Sequence, residues 1–377
     1  MSTQTTVENT CLFTISRDSL LAGLKNVSGV VEPSQVMQIL SYVKLSGSGD
    51  RLDIMASNSE VEVITSARLF SEAQEPFSIA VSCRKLSDIA KLLPEGVIEF
   101  MVEDQWVTVK SADAEFKLAS LPSSSFPHLP ELEVKHQFKL SEQDLRNIIE
   151  KTSFSIAYQD ARFFLNGLLV ECDQSSLNCV ATDGHRLSWA SVPLPSPVGS
   201  SIQSIVPRKT VTELTRLLRD SDEQVHISLS SHAIEIVAGH FVLRSNLIEG
   251  KYPNYAKLIP TQLSSTATVD VKQLKLALGR VAILANEKFK GAKFHFSKSS
   301  LKITSRNFDQ EAAESHMSIE YDGQDRVVAF NIGYVLDVLS VIESDVVQFQ
   351  FSDSMQGVLL AQPNADSLVY VIMPLTL

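Results

Sequence analysis

The feature that most limits what this chain can fold into is a pattern that runs through it three times. The first copy opens with Phe13-Thr-Ile-Ser-Arg-Asp-Ser-Leu, the second with Phe138-Lys-Leu-Ser-Glu-Gln-Asp-Leu, the third with Thr268-Val-Asp-Val-Lys-Gln-Leu. Each reads as a short alternating strand, a Ser or Asp suited to N-capping, and then apolar residues at helical spacing. About 70 residues later each copy repeats the device. The three versions are Phe77-Ser-Ile-Ala-Val-Ser-Cys-Arg-Lys-Leu, Ile205-Val-Pro-Arg-Lys-Thr-Val and Val328-Ala-Phe-Asn-Ile-Gly-Tyr-Val. Between and after these helices the residues alternate as in antiparallel strands, for example Arg51-Leu-Asp-Ile-Met-Ala-Ser, Ser176-Leu-Asn-Cys-Val-Ala-Thr and Ser300-Leu-Lys-Ile-Thr-Ser. A period of ~125 residues is far longer than that of a solenoid repeat, so each copy can own a core. The expected architecture is therefore α+β, with three repeated domains at 11–133, 136–262 and 263–377. Each should carry two helices on antiparallel sheets of roughly eight strands.

Composition narrows the function. No run approaches the ~18 apolar residues of a membrane helix, and the segment from Met1 to Leu12 lacks the apolar stretch of a secretory signal. Cys11, Cys83, Cys172 and Cys179 show no metal-ligand or disulfide spacing, which suits free thiols in the cytoplasm. The net charge of −11 argues against nucleic acid as a sum, but the charges are unevenly placed. Arg84, Lys85 and Lys91 fall on the second helix of the first copy, and Arg208, Lys209, Arg216 and Arg219 on that of the second. Lys272, Lys275, Arg280, Lys288 and Lys290 fall on the first helix of the third copy and its exit. The third copy's second helix has no Lys or Arg, and acidic residues gather in strands and loops. If the helices of a repeat dimer faced one cavity, it would be positive inside an acidic shell, able to hold phosphates without reading bases. Ordinary solvated helix faces are the alternative.

The sequence holds no Gly-rich phosphate loop, nucleophile elbow or zinc-protease pattern. Asp183, His185 and Arg186 in Ala181-Thr-Asp-Gly-His-Arg-Leu could in principle do acid/base chemistry. Asp-Gly between two alternating strands is, however, a hairpin signal, which would place His185 and Arg186 on the second strand.

That heptapeptide, with Gln159-Asp-Ala-Arg-Phe-Phe-Leu-Asn-Gly and Ile205-Val-Pro-Arg-Lys, resembles the beta sliding clamp family of bacterial DNA polymerase III. So do Lys251-Tyr-Pro-Asn-Tyr, Ala282-Ile-Leu-Ala-Asn-Glu-Lys-Phe-Lys-Gly, Phe330-Asn-Ile-Gly-Tyr-Val-Leu-Asp and Val371-Ile-Met-Pro-Leu. The motifs occur in the family's order from Phe13 to Leu377. The resemblance implies a DNA-clamp fold that closes as a head-to-tail homodimer ring on double-stranded DNA, without catalysis, cofactor or metal. It implies as partners the DNA polymerase III alpha subunit, a separate ATP-driven clamp loader and other clients, held through short Gln- and Leu/Phe-containing peptides.

Carried over motif by motif, the client pocket would comprise Leu165, Thr182, Gly184, His185, Arg186, Leu187, Pro253, Leu258, Val371, Met373 and Pro374, with Asn331 and Tyr334 at its edge. DNA would meet Gln159, Phe163, Phe164 and the basic helices, chiefly Arg84, Lys85, Lys91, Arg208, Lys209 and Arg216. Phe163 and Phe164 stand where the family usually has hydroxylated aromatics, and Ser34 where it commonly has Arg, so fewer polar DNA contacts are expected. Ring closure would join Phe116 and Leu118 to Ile283 and Leu284 of a second copy. Asp113 and Glu115 would face Glu311 and Glu314 there, leaving fewer ion pairs than the family often has. A clamp-like scaffold that binds peptides but holds DNA poorly is the second reading, and a hydrolase built on Asp183 and His185 the third.

Overall fold

The structure, a computed structural model, describes residues 11–32, 37–173, 175–197, 201–286, 289–353 and 357–376. Ser34, Glu287, Lys288 and Leu377 lie outside the described residues. The first repeat runs β1 (Cys11–Ser16), α1 (Arg17–Val27), β2 (Tyr42–Ser57), β3 (Val61–Ser82), α2 (Cys83–Leu92), β4 (Val97–Glu103), β5 (Trp106–Ser111) and β6 (Ala114–Leu121). The second runs β7 (His136–Ser141), α3 (Glu142–Glu150), β8 (Gly167–Cys172), β9 (Ser176–Thr182), β10 (Arg186–Pro193), β11 (Ile202–Pro207), α4 (Arg208–Leu217), β12 (Gln224–Leu229), β13 (Ala233–Ala238) and β14 (Phe241–Asn246). The third comprises β15 (Leu263–Asp270), α5 (Val271–Ala282), β16 (Gly291–Ser297), β17 (Ser300–Arg306), β18 (Ala312–Ser318), β19 (Glu320–Tyr321), β20 (Arg326–Asn331), α6 (Ile332–Val341), β21 (Val346–Ser352), β22 (Val358–Ala361) and β23 (Leu368–Ile372).

The helices begin where the sequence offers an acceptor. The Ser16 hydroxyl accepts from Ser19 N at 3.1 Å, the Asp270 carboxylate from Gln273 N at 2.8 Å, and the Asn331 amide oxygen from Gly333 N at 2.8 Å. Each satisfies an N–H that the helix itself cannot, worth about 1 kcal/mol. The first repeat has fewer strands than the eight expected, because β2 and β3 run for 16 and 22 residues as one bent hairpin. The bend falls at register shifts around Gly49, whose φ of +58° suits glycine. Each long strand does the work of two in the other repeats.

The chain gathers into two compact units, residues 1–143 with 212–247 and residues 144–211 with 248–377. The first unit holds a ten-stranded sheet in which β3 pairs with β14, so the last strand of the second repeat extends the sheet of the first. That seam is antiparallel and runs from Val61 opposite Ser245 to Ile64 opposite Val242. In its core Phe13 is stacked between Phe77 and Phe100, at 4.8 and 4.5 Å between centroids. The second unit holds a nine-stranded and a four-stranded sheet. Its own seam pairs β10 with β23, again antiparallel, from Arg186 opposite Ile372 to Ala190 opposite Leu368. Phe294, Phe296, Phe330, Phe349 and Phe351 fill its core. Among the described residues no helix is long and apolar enough to cross a membrane.

Candidate functional site

The β9–β10 connection carries the most specific of the sequence motifs. Thr182 pairs with Leu187, so the loop spans residues 183–186, longer than the two-residue Asp-Gly turn expected. The reason is local. One oxygen of the Asp183 carboxylate accepts from both His185 N (2.9 Å) and Arg186 N (3.0 Å), an Asx-type turn that draws two further residues into the loop. His185 therefore sits exposed in the connection rather than on the strand, and Arg186, outside the β9–β10 pairing, opens β10 through its pairing with Ile372 of β23. The Thr182 hydroxyl locks the base by donating to Arg186 O at 2.6 Å and accepting from Gly184 N at 3.1 Å. Gly184 has φ +87°, which strains any L side chain, and a Cβ there would also displace the Arg162 guanidinium, 2.9 Å away.

Arg186 is the hub of the region. Its Nε donates to Asp183 at 3.0 Å, Nη1 to Asp337 at 2.5 Å and Nη2 to Phe154 O at 2.5 Å. The guanidinium lies over the Tyr334 ring at 4.3 Å, and its side chain is only 11% exposed. Arg186 thus holds the hairpin to α6 from within, as a positioning group. Asp337 and Phe154 were not foreseen from sequence. The available signal was the three-residue spacing of Tyr334 and Asp337, which puts both on one helix face. Burial pushes the Tyr334 hydroxyl pKa up. Both Asp183 oxygens are engaged, one by the turn and the other by Arg186. Among the described residues no group of three or more His, Cys, Asp or Glu side chains is placed to hold a metal.

The apolar candidates divide into floor and rim. Leu165, Leu187 and Val371 are buried in one cluster with Val180, Ile205 and Tyr252, so they support the site rather than line it. Tyr252 is tied to the hairpin, its hydroxyl accepting from Thr182 N at 3.1 Å, and burial pushes its pKa up. Met373 and Pro374 are half-buried at the rim, Met373 N donating to His185 O at 2.8 Å. Pro253 is exposed beside Tyr252. Leu258 lines a small cavity of about 220 Å³ with Lys257, Gln262 and Asp353, none of them hairpin residues. Asn331 caps α6 one turn before Tyr334.

The DNA-contact candidates also divide. The loop from Ala157 to Asn166 is closed by Ala157 N donating to Leu165 O, and by Asn166, which bonds both Asp160 N and Asp160 O at 2.9 Å. Arg162 grips Asp160 with two bonds and holds its carboxyl down at about 2. This frame presents Gln159, with φ +53°, and Phe163, 56% exposed, to solvent, while Phe164 packs on the buried cluster. On α2, Arg84, Lys85 and Lys91 are exposed, with Asp88 at 3.8 Å from Arg84 and 3.7 Å from Lys91. Lys209 is half-buried at the start of α4. Arg208 lies over Tyr158 and donates to Ile156 O at 2.6 Å. Arg216 departs from expectation. Its guanidinium pairs with buried Glu213 at 2.6 Å and donates to Lys25 O and Asn26 O, where it caps the end of α1. A cation at a helix C-terminus is favourable, and this one is a structural group. Of the ring-closure candidates, Ile283 is 78% exposed and Leu284 and Phe116 half-buried, whereas Leu118 belongs to the core.

The likenesses of the chain cover its whole described length. It matches the DNA polymerase III beta subunit N-terminal domain over residues 11–130, the central domain over 139–254 and the C-terminal domain over 256–376. The beta sliding clamp of Pseudomonas aeruginosa is 40% identical over 366 residues, 97% of this chain and 100% of that protein. That of Escherichia coli (strain K12) is 36% identical over 369 residues, with the same coverage. Among solved structures, a P. aeruginosa sliding clamp bound to griselimycin superposes with a TM-score of 0.93 at 40% identity, covering 97% of this chain and 99% of that one. The Bacillus subtilis clamp superposes at 0.91 with 28% identity and the same coverage. Three consecutive clamp domains in order, each with two helices on antiparallel strands, place this chain in the beta sliding clamp family of DNA polymerase III beta subunits.

Proposed function

We propose that the chain is the processivity clamp of a replicative DNA polymerase, a non-catalytic subunit that encircles duplex DNA as a head-to-tail homodimer. The observation that carries this reading is the unbroken match of all three clamp domains over 97% of the chain. Its domains are read as 11–133, 136–262 and 263–377, in the cytoplasm. The exposed cations of α2, with Lys209, Gln159 and Phe163, would meet the duplex without reading its sequence. The hairpin of Thr182 to Leu187, with Tyr334, Met373, Pro374, Pro253 and Leu258, would take client peptides containing Gln, Leu and Phe. Its buried apolar floor and few fixed polar groups suit such ligands. The polymerase alpha subunit and the clamp loader are the expected clients.

The test is topological. Loaded by a clamp loader onto a nicked circular plasmid, the protein should remain bound through gel filtration and leave when the plasmid is cut once. Loss from the intact circle, with peptide binding retained, would replace the clamp by a client-binding scaffold. Retention that linearisation does not change would show ordinary side-on DNA binding instead.

A further inference from the structure

The connections that leave the first and second repeats are copies of one strap, fastened at different points. Phe126-Pro127-His128-Leu129 follows β6 as Tyr252-Pro253-Asn254-Tyr255 follows β14. Each strap is bonded to a hairpin of the same build. Asn58 Oδ1 accepts from Glu60 N (3.1 Å) and Val61 N (2.8 Å), as Asp183 does from His185 N and Arg186 N. Ser59 has φ +74° where Gly184 has +87°. Asn246 N donates to Glu60 O at 2.9 Å, as Met373 N does to His185 O at 2.8 Å. Glu32 N donates to Leu40 O, as Ala157 N does to Leu165 O, both at 3.1 Å. Phe126 sits in the buried cluster of Leu40 and Met55, as Tyr252 sits in that of Leu165 and Val180. Glu62 therefore occupies the position of Leu187, and Leu129 that of Tyr255.

In the first strap Leu129 N donates to the Glu62 carboxylate, and His128 lies 3.0 Å from Lys44 Nζ and 3.6 Å from Glu62. That strap is drawn down onto the second strand of its own hairpin. The Leu187 side chain offers no acceptor in that place, and the second strap is held by its two ends instead. At one end the Tyr252 hydroxyl accepts from Thr182 N at 3.1 Å. At the other the Tyr255 hydroxyl donates to Glu171 Oε2 at 2.7 Å, while Gln203 Nε2 holds Glu171 Oε1. Burial and the Glu171 carboxylate push the Tyr255 pKa up, which keeps its hydroxyl a donor, and the Trp189 indole N–H bonds the same hydroxyl. Glu171 lies opposite Asn178, four residues before Thr182, so roughly 13 Å of strand separates the two ties. Resting on the client-binding reading above, we infer that Glu171 is a positioning residue for the client pocket: by holding Tyr255 it keeps the Pro253 span off the apolar floor at Leu187. Without the tie the second strap settles as the first does, closing the floor to a client's apolar side chain. The 3-10 turn Tyr255–Leu258 has no side-chain cap, so the placement of Lys257 and Leu258 also follows Tyr255.

Three readouts on the full chain decide the matter. Tyr255→Phe and Glu171→Leu should each weaken a fluorescein-labelled peptide containing Gln, Leu and Phe by roughly ten-fold, and the double variant by no more than the worse single one. Glu171→Gln, whose amide oxygen still accepts from Tyr255, should keep most of the affinity. Urea midpoints should move little, because Glu171 is only half-buried. Trypsin should cut after exposed Lys257 faster in Tyr255→Phe and Glu171→Leu than in the wild type, since the freed strap opens more often. Unchanged affinity, additive losses or an unchanged cutting rate overturns the inference. So does a loss of affinity matched by an equal loss of stability, which would make the tie a general support of the fold. A wild-type chain that binds no such peptide would instead refute the client reading, and the cutting rates would still test the tie, so the two failures are distinct.

Discussion

The two seams within the chain share a backbone geometry and fill it with opposite chemistry. At β3–β14 the central pair is Glu62 opposite Arg244. Glu62 is 2% exposed, Arg244 binds Glu235 at 2.6 Å, and His128 lies 3.6 Å from the far oxygen of Glu62. At β10–β23 the corresponding stretch is apolar, with Leu187 opposite Val371 and Trp189 opposite Val369, over the cluster that supports the hairpin. Its buried polar groups are few: a 2.6 Å bond joins the Ser155 and Ser188 hydroxyls, and the buried Tyr370 hydroxyl on the strand opposite has no hydrogen-bond partner. The repeat dictates register, while each seam's side chains follow from what lies on it. The apolar seam carries the candidate client pocket, with Leu187 and Val371 in its buried floor.

The largest expected effect tests the apolar seam. Leu187→Ala removes a side chain from a closed cluster and should cost about 2–5 kcal/mol in urea unfolding. It should also weaken client peptide, since Leu187 closes the hairpin. At the charged seam Arg244→Ala leaves Glu62 and Glu235 without their cation and should cost about 2 kcal/mol, below the range for fully buried pairs because Arg244 is partly exposed. If Arg244→Ala proved the costlier change, the contrast between the seams would be inverted.

The third prediction concerns what joins the pocket together. Asp337→Asn removes the charge that holds Arg186 Nη1 and should weaken a fluorescein-labelled client peptide containing Gln, Leu and Phe by about ten-fold. Asp337→Glu should restore most of that affinity. Arg186→Gln should lower it by a similar factor, and the double variant by no more than the worse single one, because the two residues act as a unit. Additive losses would mean that Arg186 touches the peptide independently.

What the sequence discloses and what it hides follow one physical line. Strand–cap–helix units were legible because their determinants are neighbours in the chain, as with Ser16 and Ser19 or Asp270 and Gln273. The clamp motifs also pointed to the Thr182–Leu187 hairpin, whose turn is set by its neighbours Asp183 and Thr182. The role of Arg186 was not legible, because Asp337 is 151 residues away. Nor was that of Arg216, whose carbonyl partners on α1 lie 190 and 191 residues off. A lysine or arginine on an amphipathic helix reads the same whether it faces phosphate or caps another helix. Only the fold separates them. The fused β2 and β3 escaped notice for a related reason, since alternation continues across a bend as readily as across a break.

The smallest effect is also the sharpest test of the charged seam. Burial is the leading influence on Glu62 and raises its pKa, with Arg244, the Leu129 backbone N–H and His128 pulling the other way. A carboxyl whose pKa is higher folded than unfolded binds its proton more tightly in the native state. Its contribution to stability is therefore complete below the unfolded value and is lost as pH rises through the folded one. Once ionised, the carboxylate is a burden on the seam, and one of its oxygens has no hydrogen-bond partner. Glu62→Gln should accordingly be at least as stable as the wild type at pH 7, with a margin that shrinks as the pH is lowered toward 4. The change should be smaller than that of Arg244→Ala and opposite in sign. A Glu62→Gln protein that unfolds as readily as Arg244→Ala at pH 7 would mean that attraction to Arg244 outweighs desolvation, making the ion pair the fastening of that seam rather than a tolerated cost.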